Sequence, residues 1–72
     1  MEKVYIKNEY ITLGQFVKFC NLVNSGSESK FFILNNEITV NGEIEKRRGK
    51  KLKESDTVVI NGANYLICSS SK

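Results

Sequence analysis

Six cationic side chains lie within eight consecutive positions of this 72-residue chain. They are Lys46, Arg47, Arg48, Lys50, Lys51 and Lys53. An arginine guanidinium can donate parallel hydrogen bonds to two phosphate oxygens, and a lysine ammonium adds a freely turning point charge. Clusters of this kind also occur in solvated loops that bind nothing. The residue types therefore favour a phosphate-contacting surface, and a solvated loop is the alternative.

The positive charge of the chain is confined to this basic window, residues 46–53. The whole chain has 11 Lys and Arg, 8 Asp and Glu and a formal net charge of +3, so the rest of it is slightly acidic. A local positive field favours an anionic partner such as a nucleic acid.

The other reactive side chains form no recognisable catalytic or metal-binding pattern. The chain has no histidine, which is the commonest general base near neutral pH and a common zinc ligand. Its two cysteines, Cys20 and Cys68, are far apart in sequence and are expected to be reduced and apolar in character. Glu43 and Glu45 lie beside cations, which we interpret as charge balance rather than as a pair of catalytic acids. We predict no catalytic residues, metal, cofactor or small-molecule substrate.

Length and composition predict one small folded domain. A chain of this size buries only about 60% of the surface that its unfolded form exposes. The 40% hydrophobic and 26% charged residues are typical of a globular protein. We assign residues 1–68 to a single domain and residues 69–72 to a frayed tail. No apolar run has the length of a membrane span and none follows a basic leader, so we predict a cytoplasmic protein without a membrane partner.

Two helices are predicted after a first short strand. Polar and apolar residues alternate over residues 3–6, which is typical of a strand. Thr12 and Gln15 have the spacing of a capping box that begins a helix, and Ser25 and Glu28 have the same spacing before a second helix. The first helix has a core-facing stripe formed by Leu13, Phe16, Val17, Cys20 and Val23.

The second helix is predicted to bury one face and expose the other. Ser29, Phe32 and Ile33 fall on the inner face, and Lys30 falls on the outer face. Phe31 lies at the edge between them, where we expect it to complete the core. Stacking on an unpaired base is the alternative for this ring.

Two β-hairpins are predicted in the second half of the chain. Asn41-Gly42 and Asn61-Gly62 each interrupt an alternating or β-branched stretch, and Asn-Gly is a strong signal for a two-residue hairpin turn. The basic window forms a loop between the hairpins, with Leu52 as an anchor into the core. The predicted fold is α+β, with two short helices packed on one side of a small, mainly antiparallel sheet.

The ordered segments TLGQFVKF, SGSESKFF, NNEITVNGEIEKRRGKKL and SDTVVI resemble the S4 RNA-binding domain, and most closely its small stand-alone YaaA-like bacterial form. The most specific element is Arg-Arg-Gly after Val-Asn-Gly. The resemblance implies an αL motif, in which two helices and a β-hairpin form a positive surface that binds structured RNA such as ribosomal RNA. This chain departs from the motif at Gly26, where the broader family often has arginine, and at Ser55, which replaces a glycine before Asp56.

By position, the resemblance implies contact residues on both helices and in the basic loop. The RNA-binding set is Gln15 and Lys18 on the first helix, Ser25, Gly26 and Lys30 at the second, and Arg47, Arg48, Lys50 and Lys51 in the loop.

The sequence therefore predicts a non-catalytic protein that docks on structured RNA through the basic loop and two helix N-termini. The resemblance implies ribosomal RNA as the partner and ribosome assembly or translation as the setting. A protein-interaction domain of the ubiquitin-like β-grasp type is the main alternative, although the two helices are adjacent in sequence here. A nonspecific DNA-binding protein is a third possibility.

Overall fold

A computed structural model of the chain describes residues 1–70. These residues form seven strands and two helices. In chain order the elements are β1 (Glu2–Ile6), β2 (Tyr10–Thr12), α1 (Leu13–Phe19), α2 (Gly26–Asn35), β3 (Ile38–Val40), β4 (Glu43–Ile44), β5 (Lys51–Lys53), β6 (Thr57–Ile60) and β7 (Ala63–Ser69). None of the helices in this part of the chain is long and apolar enough to cross a membrane.

The strands form two sheets. The larger has the order β1-β7-β6-β3-β4, in which only β1 and β7 are parallel. The smaller pairs β2 with β5 in antiparallel register, with Ile11 opposite Leu52. The predicted α+β fold with two helices on a mainly antiparallel sheet is confirmed. The small sheet was not predicted, because strands of three residues are too short to show a period and their pairing depends on distant segments.

The end of the chain differs from the predicted tail. Ser69 is the last residue of β7 and lies opposite Ile6 of β1. The amide of Ser70 donates to the Ile6 carbonyl oxygen at 2.9 Å. The parallel partner strand thus satisfies backbone groups that a frayed tail would leave to water. The rest of the predicted tail, residues 71 and 72, lies outside the described residues.

The core lies between the helices and the large sheet. Its fully buried side chains include Leu13, Phe16 and Val17 of α1, as the apolar stripe predicts. Leu52 is fully buried too, which confirms its predicted role as an anchor of the basic window. The Phe16 ring meets Tyr65 edge to face, with the ring centres 5.4 Å apart.

The capping box of α1 is confirmed, but this helix is shorter than predicted. The Gln15 amide donates to Thr12 Oγ1 at 3.3 Å, and the Thr12 amide donates to Gln15 Oε1 at 3.1 Å. The helix ends at Phe19, and Asn21 has a left-handed backbone with φ of 62°. Val23 therefore lies beyond the helix, although it still packs against the core.

The predicted capping box of α2 is wrong. The Ser25 side chain makes no capping bond, and its hydroxyl lies 3.1 Å from that of Ser27. The Glu28 carboxylate reaches one residue further back and accepts from the amide of Asn24 at 2.8 Å. The expected core role of Phe31 is also wrong, because the α2 face that carries this ring turns away from the sheet and leaves it 67% exposed.

Both Asn-Gly hairpin turns are confirmed. Asn41 and Gly42 have φ of 52° and 87°, and Asn61 and Gly62 have φ of 50° and 89°. Positive φ at both central residues is the pattern of a type I′ turn, whose twist matches that of the flanking strands. Ser55 also has a positive φ, 79°, at the position where the S4 motif prefers glycine.

Candidate nucleic-acid interface

The backbone of the basic window docks on the first turn of α1. The Gly14 amide donates to the Arg48 carbonyl oxygen at 2.9 Å, and the Leu13 amide donates to that of Lys50 at 2.8 Å. Thr12 Oγ1 accepts from the third amide, that of Gln15. The first three amides of α1 therefore have partners inside the protein. The prediction that this helix N-terminus offers its amides to phosphate is corrected accordingly.

Gly14 allows the close approach of the loop to α1. A β-carbon at this position would lie 2.6 Å from Arg48 Cγ and 3.4 Å from the Arg48 carbonyl oxygen. Gly14 itself is buried, whereas Arg48 remains exposed overall. The aliphatic part of the Arg48 side chain thus lies against the start of α1. This contact limits the positions that its guanidinium group can reach.

Four cations converge on one open hollow of about 820 Å³, here called the basic hollow. Its lining consists of Asn41, Arg47, Gly49, Lys50, Lys51, Lys53 and Asp56. The Asp56 carboxylate accepts from Asn41 Nδ2 at 3.1 Å and from the Lys53 amide at 2.8 Å. The lining has four cations and only this one carboxylate, so the net charge around the basic hollow is positive.

A second, smaller hollow of about 420 Å³ lies where the loop meets both helices, and we call it the helix hollow. It brings together Arg48 of the loop, Gln15 and Lys18 of α1, and Gly26 at the start of α2. Gly49 lines both hollows, so the two are contiguous. Cations of the loop and polar residues of the helices thus share one side of the molecule.

Most of the predicted contact residues lie along these two hollows. Those lining one or the other are Gln15, Lys18, Gly26, Arg47, Arg48, Lys50 and Lys51. Ser25 and Lys30 line neither hollow, and Lys30 is exposed on α2. Lys53 lines the basic hollow although it was not in the predicted set. Its position at the end of the basic window was the feature of the sequence that could have predicted this placement.

Comparison with known proteins settles the family. A family model described as the S4 domain matches residues 4–68. The chain belongs to the S4 domain family. A relative in Bacillus subtilis strain 168, named "Probable ribosome maturation protein RlbA", is 44% identical over 59 residues, which is 82% of this chain and 83% of the relative. The resemblance found in the sequence is confirmed.

One cation of the basic window has a structural role in this S4 domain. Lys46 Nζ lies 3.3 to 3.5 Å from three carbonyl oxygens at the end of α2, those of Ile33, Leu34 and Asn36. An ammonium group stabilises a helix C-terminus because the last carbonyl groups lack intrahelical partners. The sequence does not reveal this contact, since it joins residues ten or more positions apart.

Arg47 is held by the neighbouring Glu45. Its Nε donates to Glu45 Oε2 at 2.9 Å and its Nη2 donates to Oε1 at 3.2 Å. These hydrogen bonds from the Arg47 side chain are the main reason that the pKa of Glu45 falls to about 2. The Arg47 side chain is still 75% exposed, so the pair orients this guanidinium without burying it.

Outside the basic hollow and the helix hollow, the described part of the S4 domain shows little reactive chemistry. Burial, with a smaller effect from Glu2, raises the pKa of the Cys20 thiol to about 11, so this thiol is protonated at neutral pH and is a poor nucleophile. Within residues 1–70, no group of three or more Cys, Asp or Glu side chains is placed to hold a metal ion.

Proposed function

We propose that this S4 domain is a non-catalytic RNA-binding protein that docks on structured RNA, with ribosomal RNA as the partner and ribosome assembly in the cytoplasm as the setting. The observation that carries the proposal is the convergence of Arg47, Lys50, Lys51 and Lys53 on one hollow that continues into the helix hollow. The name of the RlbA relative supports the ribosomal setting.

The proposed contacts are to phosphates. Two guanidinium nitrogens of Arg47 are bonded to Glu45, and the remaining donors of this group are left for a phosphate oxygen. The exposed lysines of the basic hollow add attraction without fixed geometry. Contacts of this kind position a protein on RNA and carry little base information, so the recognition depends on the shape of the RNA.

The N-terminus of α2 is the helix end proposed to face the RNA. Ser25 supplies no side-chain cap to this helix. No atom lies within 4 Å of the place that a β-carbon on Gly26 would occupy, so the backbone there is open to approach. Gly26 also lines the helix hollow next to Arg48. A phosphate held by Arg48 would thus lie near the positive end of α2.

The proposal is tested with two matched charge reversals. Lys53→Glu changes an exposed strand lysine that lines the basic hollow, and Lys3→Glu changes an exposed strand lysine that lines neither hollow. Binding to deproteinised ribosomal RNA and to a duplex DNA competitor is measured by fluorescence anisotropy. We expect Lys53→Glu to weaken RNA binding by about tenfold, because a repulsive charge replaces a phosphate contact.

Lys3→Glu is expected to change the affinity much less, although it alters the net charge by the same amount. Equal effects of the two variants would mean that only total charge matters, and the basic hollow would then not be the binding surface. Duplex DNA that competes as well as RNA would favour a nonspecific DNA-binding protein instead.

A further inference from the structure

A third hollow, of about 740 Å³, lies between β1 and α1 and is lined by aromatic rings. We call it the aromatic hollow. Its rings are those of Tyr5, Tyr10 and Phe19, and its charged residues are Lys7 and Lys18. None of its lining residues is acidic. The aromatic hollow therefore combines flat apolar surfaces with a positive charge.

The three rings take no part in the core. Tyr5 is 54% exposed, because β1 turns its neighbours Val4 and Ile6 inward, and Phe19 is 57% exposed at the end of α1. Tyr10 is 41% exposed. Single exposed apolar residues are common, but three rings in one positively charged concavity form a surface on which bases can stack.

The aromatic hollow is continuous with the proposed RNA surface. Gln15 and Lys18 line both the aromatic hollow and the helix hollow. On the other side, Lys51 of the basic hollow places its Nζ 4.9 Å from the centre of the Tyr10 ring. A nucleic-acid strand can thus leave the phosphate-binding surface and enter the aromatic hollow without crossing an acidic region.

We propose that the aromatic hollow binds unpaired bases of a single-stranded segment that adjoins the structured RNA. The inference rests on the proposed function and extends it by naming a second feature of the RNA. Tyr5 and Phe19 offer ring faces for stacking, and Lys7 and Lys18 attract the phosphates of the strand. Positive charge without a carboxylate favours a nucleic-acid strand over an uncharged apolar segment of a protein.

The test compares a blunt RNA hairpin with the same hairpin carrying a short single-stranded overhang, placed at the 5′ end in one RNA and at the 3′ end in another. A third form carries an abasic overhang of equal length, which keeps the phosphates and removes the bases. We expect one of the base-containing overhangs to raise the affinity of the wild-type protein by about tenfold, as stacking of a base on an aromatic ring does. The abasic overhang should raise the affinity much less.

The variant Tyr5→Ser with Phe19→Ser should lose the gain from the overhang and keep its affinity for the blunt hairpin. Phe31→Ser is the matched control, because Phe31 is 67% exposed on α2 and lines none of the three hollows. This control should keep the gain. Circular dichroism establishes that the variants are folded.

Four results would overturn the inference. An equal gain from the abasic overhang would assign the effect to phosphates, and this comparison uses only the wild-type protein. A folded double variant that keeps the gain in affinity would rule out the role of the rings. Base-containing overhangs that give no gain at either end would rule it out too. In both cases the proposed function stands. A wild-type protein that binds none of these RNAs would overturn the proposed function as well.

Discussion

Neighbouring cations of the basic window have different surroundings once the chain folds. Lys46 caps α2, Arg47 is oriented by Glu45, and Lys51 lies over the Tyr10 ring. Lys53 lines the basic hollow and makes no side-chain ion pair among the described residues. Adjacent residues of the same charge thus differ in the partner that each already has. The number of cations in the sequence therefore overstates the number available to a ligand.

The pair formed by Glu45 and Arg47 is expected to make part of the stability depend on pH. The pKa of Glu45 falls from its ordinary value of 4.5 to about 2 in the folded protein. The folded state therefore favours the carboxylate, and this stabilisation is complete above pH 4.5 and is lost as the pH falls through 2. We expect Glu45→Gln to unfold at a slightly lower temperature than wild type at neutral pH and at the same temperature below pH 2.

The measurement is thermal unfolding followed by circular dichroism across this pH range. The difference should be at most a few degrees, because ion pairs at the surface stabilise weakly. Glu43→Gln is the control, since it removes the same charge from an exposed residue without touching the Arg47 pair. A difference between Glu45→Gln and wild type that stays constant down to pH 2 would contradict the role of the pair.

The contact between α1 and the basic window determines where the cations lie. The loop has no helix and only the short strand β5. Its position depends on the pairing of β5 with β2, on its two backbone bonds to Leu13 and Gly14 and on the buried side chain of Leu52. These bonds also use the amides at the start of α1. The contact that positions the loop therefore occupies the amides of one of the two helix N-termini that were predicted to face phosphate.

A pair of glycine substitutions tests this contact. In Gly14→Ala the new methyl group would lie 2.6 Å from Arg48 Cγ, so the Arg48 side chain or the loop that carries it must shift away from α1. We expect the free energy of unfolding to fall by about 1 to 3 kcal/mol from overpacking, offset in part by about 1 kcal/mol of improved helix propensity. Gly26→Ala meets no atom within 4 Å and should be neutral or stabilising by about 0.4 to 1 kcal/mol.

Urea denaturation of the two variants measures both effects. Both substitutions add the same methyl group to the first turn of a helix, so helix propensity alone predicts similar changes. If Gly14→Ala proves as stable as Gly26→Ala, the close packing of Arg48 against α1 does not hold in solution.

At the scale of the whole molecule, the charge of the surface is more informative than the net charge. The basic hollow, the helix hollow and the aromatic hollow share lining residues or contacts and together contain most of the cations of the loop. A net charge of +3 would predict only weak attraction to RNA. Concentrating the cations on one connected surface raises the local positive field, which supports the proposed contacts with phosphates.

This arrangement predicts a defined salt dependence. If about four phosphates are neutralised, the logarithm of the RNA binding constant should fall with the logarithm of salt concentration at a slope of roughly 3 to 4. Lys53→Gln should reduce this slope by about 0.9, the share of one phosphate contact. Lys46→Gln should leave the slope unchanged and lower the thermal stability, because this ammonium group caps α2.

The slope is measured by titrating RNA at several salt concentrations, and the stability by thermal unfolding. A binding constant that does not respond to salt would contradict phosphate binding. A smaller slope in Lys46→Gln would show that Lys46 reaches the RNA despite its contacts with α2.

The sequence by itself determined the elements that depend on neighbouring residues. The Thr12–Gln15 capping box, the two Asn-Gly turns and the apolar stripe of α1 each involve residues a few positions apart, and their backbone preferences act before the chain is folded. The ordered motifs also indicated the S4 domain family. The second capping box failed on both sides, because the Ser25 hydroxyl lies against that of Ser27 and Glu28 accepts from the Asn24 amide. Residue spacing alone does not determine which of these bonds forms.

Only the tertiary structure decided which residues share a surface. The docking of the loop on α1, the cap that Lys46 places on α2 and the hollow containing Tyr5, Tyr10 and Phe19 all join segments that are distant in sequence. Contacts of this kind depend on how the helices pack on the sheet, and that packing is the sum of many small apolar contacts across the core. No single stretch of sequence determines this packing. The partners of each cation and ring therefore became visible only in the folded chain.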